Sequence, residues 1–593
     1  MSEKQNMKPK VATDFIKFNS RRSTVYSTKG MVASSQALAN HAGIKVLSKG
    51  GNCVDAAIAV SAALCVVEPG STGIGGDCFS LYYKRETKEV HGLNGTGRSA
   101  KNLTIQDICD CYNNGQPMKR IPPESVLTVN VPGAVAGWVD SFEKWGSGNV
   151  TLEEILEPAT SLAEEGFPVC DIASRLWQSA EDKLKKQNPD SKIIENMFLF
   201  GNAAPKEGDF VTNKPLAEAF RVIAKGGKDG FYKGPIAEAI IRETSSRDHK
   251  LDLNDLATHT STVVNPIKTQ FQDYKVWEIP PNGQGLVALL ALGIIQQLHK
   301  SGKIDLYKLK HNSAEYFHVL IEATKIAFYD SDEYVTDPEF SKIPLDDLLS
   351  ESYLQERAEL FNKDKILDSS VIKHGVPNPK YKSDTVYLAV TDSNGDACSF
   401  INSVYDDFGS GIAVPDYGFC LHNRGANFNL TPELQNCFEG GKRPYHTIIP
   451  SLITNVEDDS LFAAFGNMGG YMQPVGQVQH VLNLCIFGFT PQQLIDLPRF
   501  CLNATKDKID SDRGRGSDGP VSTAVTEVAL EDGIDSSVVE ELSKLGHTTK
   551  VVTGYNRKIF GRAQIIQDAS KDGQLIYAAG SDLRGDGAAT PFF

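Results

Sequence analysis

Among the residues that could do chemistry, Ser383-Asp384-Thr385 stands out. The threonine ends a polar run over residues 361–384, FNKDKILDSSVIKHGVPNPKYKSD, which carries Pro377 and Pro379 and shows no apolar period. Such a run reads as an exposed loop. From Thr385 the period changes to two: TVYLAVT, a DSNGD turn holding Asn394-Gly395, then the returning ACSFINS. A threonine opening a strand is an ordinary β-former. As a nucleophile its hydroxyl is weak unless a base lies beside it. One solution makes the threonine an amino terminus, so that its own α-amine, with a pKa of about 8, takes the proton. That requires scission of the Asp384–Thr385 bond, and an upstream loop lets the new terminus separate. On pattern alone both readings stay open.

Other catalytic signals are absent. There is no G-x-S-x-G elbow. GSTGIGG follows a buried-looking helix, whereas a dinucleotide fingerprint follows a strand. No H-E-x-x-H and no Cys/His cluster is present, and Cys109-x-Cys111 alone is a weak ligand set, so no metal is expected. The 11 cysteines are scattered, mostly in apolar surroundings, and read as reduced thiols. His41, His318 and His480 fall in helical patterns and read as core-edge residues.

The elements that must position Thr385 are legible around it. SSQALANHAGIKVLSKGGN reads as a helix stopped by Gly50 and Gly51. VDAAIAVSAALCVVEP reads as a small-residue helix, apolar all round and therefore buried. CFSLYYKR and EVHGLNG make a hairpin. Residues 150–365 read as mostly helical. Further strands are expected in GIAVPDYGFCLHN and SLITNVEDDSLFAAFG, then helices in GQVQHVLNLCIFG and SSVVEELSKLG. A last hairpin, RAQIIQD with QLIYAAG, closes the chain.

Composition excludes several function classes. The 593 residues amount to about four domains' worth of ordinary globular material, 41% hydrophobic and 23% charged. A formal charge of −14 argues against nucleic-acid and anionic-membrane partners. The longest apolar run, Ala56 to Val67, falls short of the roughly 20 residues needed to cross a bilayer. The amino terminus has cations but no apolar core, so a cytoplasmic protein is expected.

From about Gly30 onward the chain resembles the gamma-glutamyltranspeptidase (glutathione hydrolase) family, in its signal-less, cytoplasmic-type branch. The matching blocks come in family order: GMVASSQALANHAGIKVLSKGGNCVDAAIAVSAALCVVEPGSTGIGGDCF, PGAVAG, EPATSLAEEGF, DGFYKGPIAEAI and EIPPNGQG. After them come SDTVYLAVTDSNGDACSFINSVYDDFGSGI, KRPYHTIIPSLI, GNMGG and GSDLRGDG. The resemblance implies an α+β fold, the four-layer αββα sandwich of N-terminal-nucleophile hydrolases. Residues 1–29 are polar and read as a flexible arm, and the resemblance implies one domain cut into 30–384 and 385–593. Thr385 would be the nucleophile and Asp384–Thr385 the bond that cuts itself. Ser403 would orient the hydroxyl (alone, it reads as a hairpin serine), and the Gly469-Gly470 amides would form the oxyanion hole. Expected partners are glutathione or another γ-glutamyl or acyl amide, with water or an amino acid as acceptor, and no cofactor.

The substrate pocket departs from the family pattern. The arginine that clamps the α-carboxylate falls on Gly95, with Arg98 three residues later as the substitute. The aspartate that holds the α-amine becomes Asn427, and Arg424 enters the same run. The paired serines become His446-Thr447, and an asparagine becomes Tyr405. An amide cannot pair an ammonium as a carboxylate does. Arg424 suits a bare carboxylate, as in cephalosporin (glutaryl) acylases, or could pair a structural acid. The expected activity is thus glutathione hydrolysis, with transfer to an amino acid as a further option. The alternatives are a glutaryl-acylase-like amidohydrolase and an uncleaved, non-catalytic metabolite binder.

Overall fold

The computed structural model describes residues 22–190, 194–195, 197–367, 384–504 and 526–593. Residues 1–21 of the expected arm and 368–383 of the expected loop lie outside them.

Ala37–Ser48 forms the first helix, and Gly50, at φ +92°, ends it. Asn52 and Asp55 cap the next helix, Cys53–Val67, in a reciprocal box. Every residue of that helix is buried, as its unbroken apolar and small-residue surface requires. It lies against the strand that begins at Asp384, and against the strand returning beside it.

That strand is central in a seven-stranded sheet. The order is Ala588–Phe592, Gly30–Ser34, Asp384–Thr391, Ala397–Tyr405, Asp77–Lys84, Glu89–Gly95 and Thr262–Val264. All neighbours are antiparallel. A second antiparallel sheet, also seven-stranded, runs Val25–Ser27, Tyr577–Ser581, Ala563–Asp568, Leu461–Asn467, Ser451–Asn455, Tyr274–Glu278, Ile267–Phe271. The sheets pack face to face. Met31, Phe79, Tyr387, Ala389 and Ile401 meet Leu452, Ala464, Ile566 and Ala579 between them. The alternate residues Val386, Leu388 and Val390 turn outward to the Ala37–Ser48 and Cys53–Val67 helices. Gly285–Lys300, Ala314–Tyr334 and Met472–Cys485 cover the other sheet. The result is the four-layer αββα sandwich. A strand with both faces covered must be apolar throughout, which is why TVYLAVT reads as buried.

Residues 150–365 are mostly helical, as expected, and 262–278 adds three strands that complete both sheets. Two expectations need correction. The last hairpin forms but does not end the fold: Ala588–Phe592 crosses to pair with Gly30–Ser34. The arm is tied down from Val25, since Val25–Ser27 pairs with Tyr577–Ala579 and covers an otherwise open sheet edge.

Candidate active site

Thr385 is the second residue of its strand. Asp384 pairs with Tyr405 and Val386 with Asn402, so Thr385 alone stands against both Ser403 and Val404. This β-bulge re-aims side chains, as bulges beside active sites do. The Thr385 hydroxyl donates to Ser403 Oγ at 3.1 Å. Ser403 Oγ also accepts the Tyr405 N–H at 2.9 Å and the Arg424 Nη2–H at 3.1 Å. Tyr405 holds φ +81°, a strained value for a bulky residue. That twist lays its ring 4.5 Å from the Arg424 guanidinium carbon. Thr385 is 0% exposed. In the uncut chain Asp384 still holds it in the sheet, paired to Tyr405.

Most of the pocket residues singled out in the sequence converge here. Arg424 donates from Nη1 to Thr447 Oγ1 at 2.7 Å. The Tyr405 hydroxyl donates to Asn427 Oδ1, and Asn427 Nδ2 donates to the Tyr445 carbonyl at 3.0 Å. Both ends of the amide are therefore engaged. Arg98 does not join. Its Nη2 donates to both oxygens of the half-exposed Glu339, at 2.8 and 3.0 Å, and Arg443 approaches the same carboxylate. Gly95 has no room for the family's arginine, because a Cβ there would lie 2.8 Å from Cys78 Sγ and 2.9 Å from a carbonyl oxygen.

Behind Arg424 lies Asp77, which sequence reasoning missed. It is the cross-strand partner of Ser403 and fully buried. Its Oδ1 accepts the Gly97 N–H at 3.0 Å, and its Oδ2 meets His446 Nε2 at 3.1 Å, His422 Nδ1 at 3.5 Å and Arg424 Nε at 3.7 Å. Burial alone would raise the Asp77 carboxyl, but His422, His446 and Arg424 together hold it well below the usual carboxylate range. Burial, reinforced by Arg424, lowers His446 to about 3, so it is neutral at pH 7. Arg424 thus pairs a structural acid on one edge and faces the Thr385–Ser403 pair on another. The signal was present in GIGGD, a charged residue opening an apolar strand. The glycine before it lets the loop press close: a Cβ on Gly76 would lie 2.2 Å from the Ser403 carbonyl oxygen.

Gly469 and Gly470 follow the strand Leu461–Asn467, at φ +122° and +61°. The Tyr387 ring, from the strand of Thr385, packs on Gly466 of that strand. Among the described residues neither glycine's N–H donates a hydrogen bond. Arg562 braces this loop. Its carbonyl accepts the Met468 N–H at 3.0 Å, and its buried guanidinium pairs with Glu68 at 2.6 Å. Glu68 also accepts Ser35 Oγ at 2.7 Å and Ser71 Oγ at 2.8 Å. The Ser71 carbonyl in turn accepts the Val404 N–H at 3.4 Å. Neither Glu68 nor Arg562 was picked out in the sequence.

One buried group, His318, Glu322 and His547, has the donor types for a metal ion, which the sequence did not suggest. Each member already has a partner. The two rings meet at 2.8 Å, His318 Nε2–H donates to the Asn362 carbonyl at 2.8 Å, and Glu322 is held by Lys325 at 2.8 Å and by the Leu367 N–H at 2.6 Å. The Lys325 charge disfavours a cation there. His480 is likewise buried rather than at the core edge, while His41 is exposed. Cys109 is buried and Cys111 exposed on one helix, so the pair does not converge on a ligand.

Residues 39–592 match the family described as Gamma-glutamyltranspeptidase. The chain belongs to that family. It is 34% identical over 566 residues to the glutathione hydrolase-like YwrD proenzyme of Bacillus subtilis, covering 95% of this chain and 99% of the relative. It is 30% identical over 571 residues to the oxamate amidohydrolase proenzyme of Klebsiella pneumoniae, covering 95% and 99%. Its fold matches the crystal structure of a cephalosporin acylase from Bacillus halodurans with a TM-score of 0.83 and 35% identity, covering 97% of this chain and 98% of that one. Within the gamma-glutamyltranspeptidase family, then, similar chains carry different amide-hydrolase names on one fold. Among the described residues no helix is long and apolar enough to cross a membrane.

Proposed function

We propose that this protein is a self-cleaving proenzyme that becomes an N-terminal-threonine amidohydrolase. In the precursor, Thr385 Oγ attacks the Asp384 carbonyl carbon, its hydroxyl proton passes to the peptide nitrogen, and that nitrogen leaves as the α-amine of Thr385. Water then hydrolyses the resulting ester, giving residues 1–384 with a new carboxylate and residues 385–593 with a free amine. That amine takes the hydroxyl proton when Thr385 Oγ attacks a substrate amide. The Gly469 and Gly470 N–H groups receive the developing oxyanion, each worth about 3 kcal/mol. The leaving amine takes the proton, and water, or an amino acid in transfer, resolves the acyl-threonine ester.

The observation that carries the reading is the Thr385–Ser403 pair at 3.1 Å, set by a bulge at the start of a central strand. Ser403 aims the hydroxyl proton, leaving an Oγ lone pair for attack. The substrate is an amide whose acyl group carries a carboxylate, because the Arg424 guanidinium lies one hydroxyl away from the nucleophile. The γ-glutamyl amides, glutathione included, and glutaryl-type amides both meet that description. The relatives' names, a glutathione hydrolase-like proenzyme and a cephalosporin acylase, support the same range. A cytoplasmic setting fits the free cysteines. The test is turnover of such an amide by the cut wild type, against none by Thr385→Ala. Turnover by Thr385→Ala at the wild-type rate would remove Thr385 from the mechanism.

A further inference from the structure

We propose that the site selects an acyl group with a bare carboxylate and no α-ammonium, a short dicarboxylic acid monoamide, and that Arg424 is its carboxylate receptor. This rests on the amidohydrolase reading above and narrows it.

Arg424 is fully buried, and its Nε has no hydrogen-bond partner. Nη1 and Nη2 each spend one bond, on Thr447 and Ser403, and each carries a second hydrogen. Tyr405 covers one face of the guanidinium and Asp77 stands behind its Nε edge. A guanidinium so fixed matches a carboxylate with two parallel donors. Asp77, Thr447 and the Tyr405 ring set its orientation before any substrate arrives.

No comparable partner for an ammonium is present in the set. Asn427, at the position for the amine, has its carbonyl bound by the Tyr405 hydroxyl and its amide committed to Tyr445. Asp77 is shared among Arg424, His422, His446 and the Gly97 amide. Asp406 accepts from Asn423 Nδ2 at 2.8 Å and faces Lys183. An incoming ammonium would instead meet the Arg424 charge.

Reach also limits the acyl group. Arg424 Nη2 and Thr385 Oγ1 are linked through one atom by two hydrogen bonds of 3.1 Å, so they are no more than about 6 Å apart. A carboxylate bound at about 2.8 Å and a carbonyl carbon approached at about 3 Å must both fit beside that span. Succinyl and glutaryl chains are short enough to do so.

The experiment uses the cut wild-type protein and four p-nitroanilides: glutaryl, succinyl, L-γ-glutamyl and butyryl. The glutaryl or succinyl compound should have a kcat/KM at least 10-fold above the γ-glutamyl one, and the butyryl compound should be at least 100-fold poorer. Equal or better γ-glutamyl turnover would overturn the selectivity, and equal butyryl turnover would overturn the carboxylate receptor. Turnover of none of the four would overturn the amidohydrolase reading, and the proposal with it. As a check independent of catalysis, glutarate should raise the melting temperature of the cut wild type more than L-glutamate does. The reverse order would count against the proposal.

Discussion

Asp77 lies directly across the sheet from Ser403, and its carboxylate backs the Arg424 guanidinium that touches the Ser403 hydroxyl. One cross-strand pair therefore sets both the hydroxyl partner of Thr385 and the charge beside it. Asp77→Asn should raise KM for carboxylate-bearing amides at least 10-fold, with a smaller effect on kcat. It should also cost about 3 kcal/mol of stability, because a buried guanidinium loses its counter-ion. Steady-state kinetics and urea unfolding check both. An unchanged KM would detach Asp77 from the receptor.

Ser403→Ala removes the acceptor of the Thr385 proton while leaving a small buried residue. Both self-cleavage and turnover should slow by on the order of 10²-fold. A cleavage time course and a kcat measurement on the cut variant read the two steps. Wild-type rates in both would show that Ser403 is only a strand residue.

Glu68 and Arg562 come from opposite sides of the proposed cleavage bond, and their pair at 2.6 Å links the Ser71 segment to the Met468–Gly470 loop. Glu68→Gln should lower kcat at least 10-fold with little change in KM, since the loop contributes to the transition state rather than to ground-state binding. A reduced kcat with KM also raised would point to general loosening instead.

Much of this was legible in the sequence, for physical reasons. Alternation over TVYLAVT and ACSFINS marks two buried strands, and small residues on every side mark Cys53–Val67 as interior. Residues 262–278 were lost among helices, because their short alternating runs TVV, IKTQF and YKVWE sit between long segments of helical period. The bulge at Thr385 depends on the register of two strands, which neither strand encodes alone. Asp77 and Glu68 escaped notice because their partners, Arg424 and Arg562, lie hundreds of residues away. Arg98 misled because charge near the right position says nothing about Glu339.

Stability should fall as pH drops from about 6.5. Burial lowers His249 to about 4, and His259, His446 and His547 to about 3. Folded, these rings stay neutral while the unfolded chain takes up protons below about 6.5. Each can add a slope of up to about 1.4 kcal/mol per pH unit. Urea unfolding at pH 7.5, 6.5 and 5.5 should show unfolding free energy declining over the lower interval. Burial raises the Asp392 and Asp406 carboxyls to about 6, which opposes this trend over the same interval. The decline therefore requires the four rings to outweigh them, and a flat or rising profile would contradict that.

The most direct test of the account is the amino-terminal residue of the smaller fragment after purified wild-type protein is incubated alone. Intact-mass measurement and amino-terminal sequencing should give a fragment that begins at Thr385 and ends at Phe593, and Thr385→Ala should remain one chain. A fragment beginning elsewhere, or a wild type that stays whole, would contradict it.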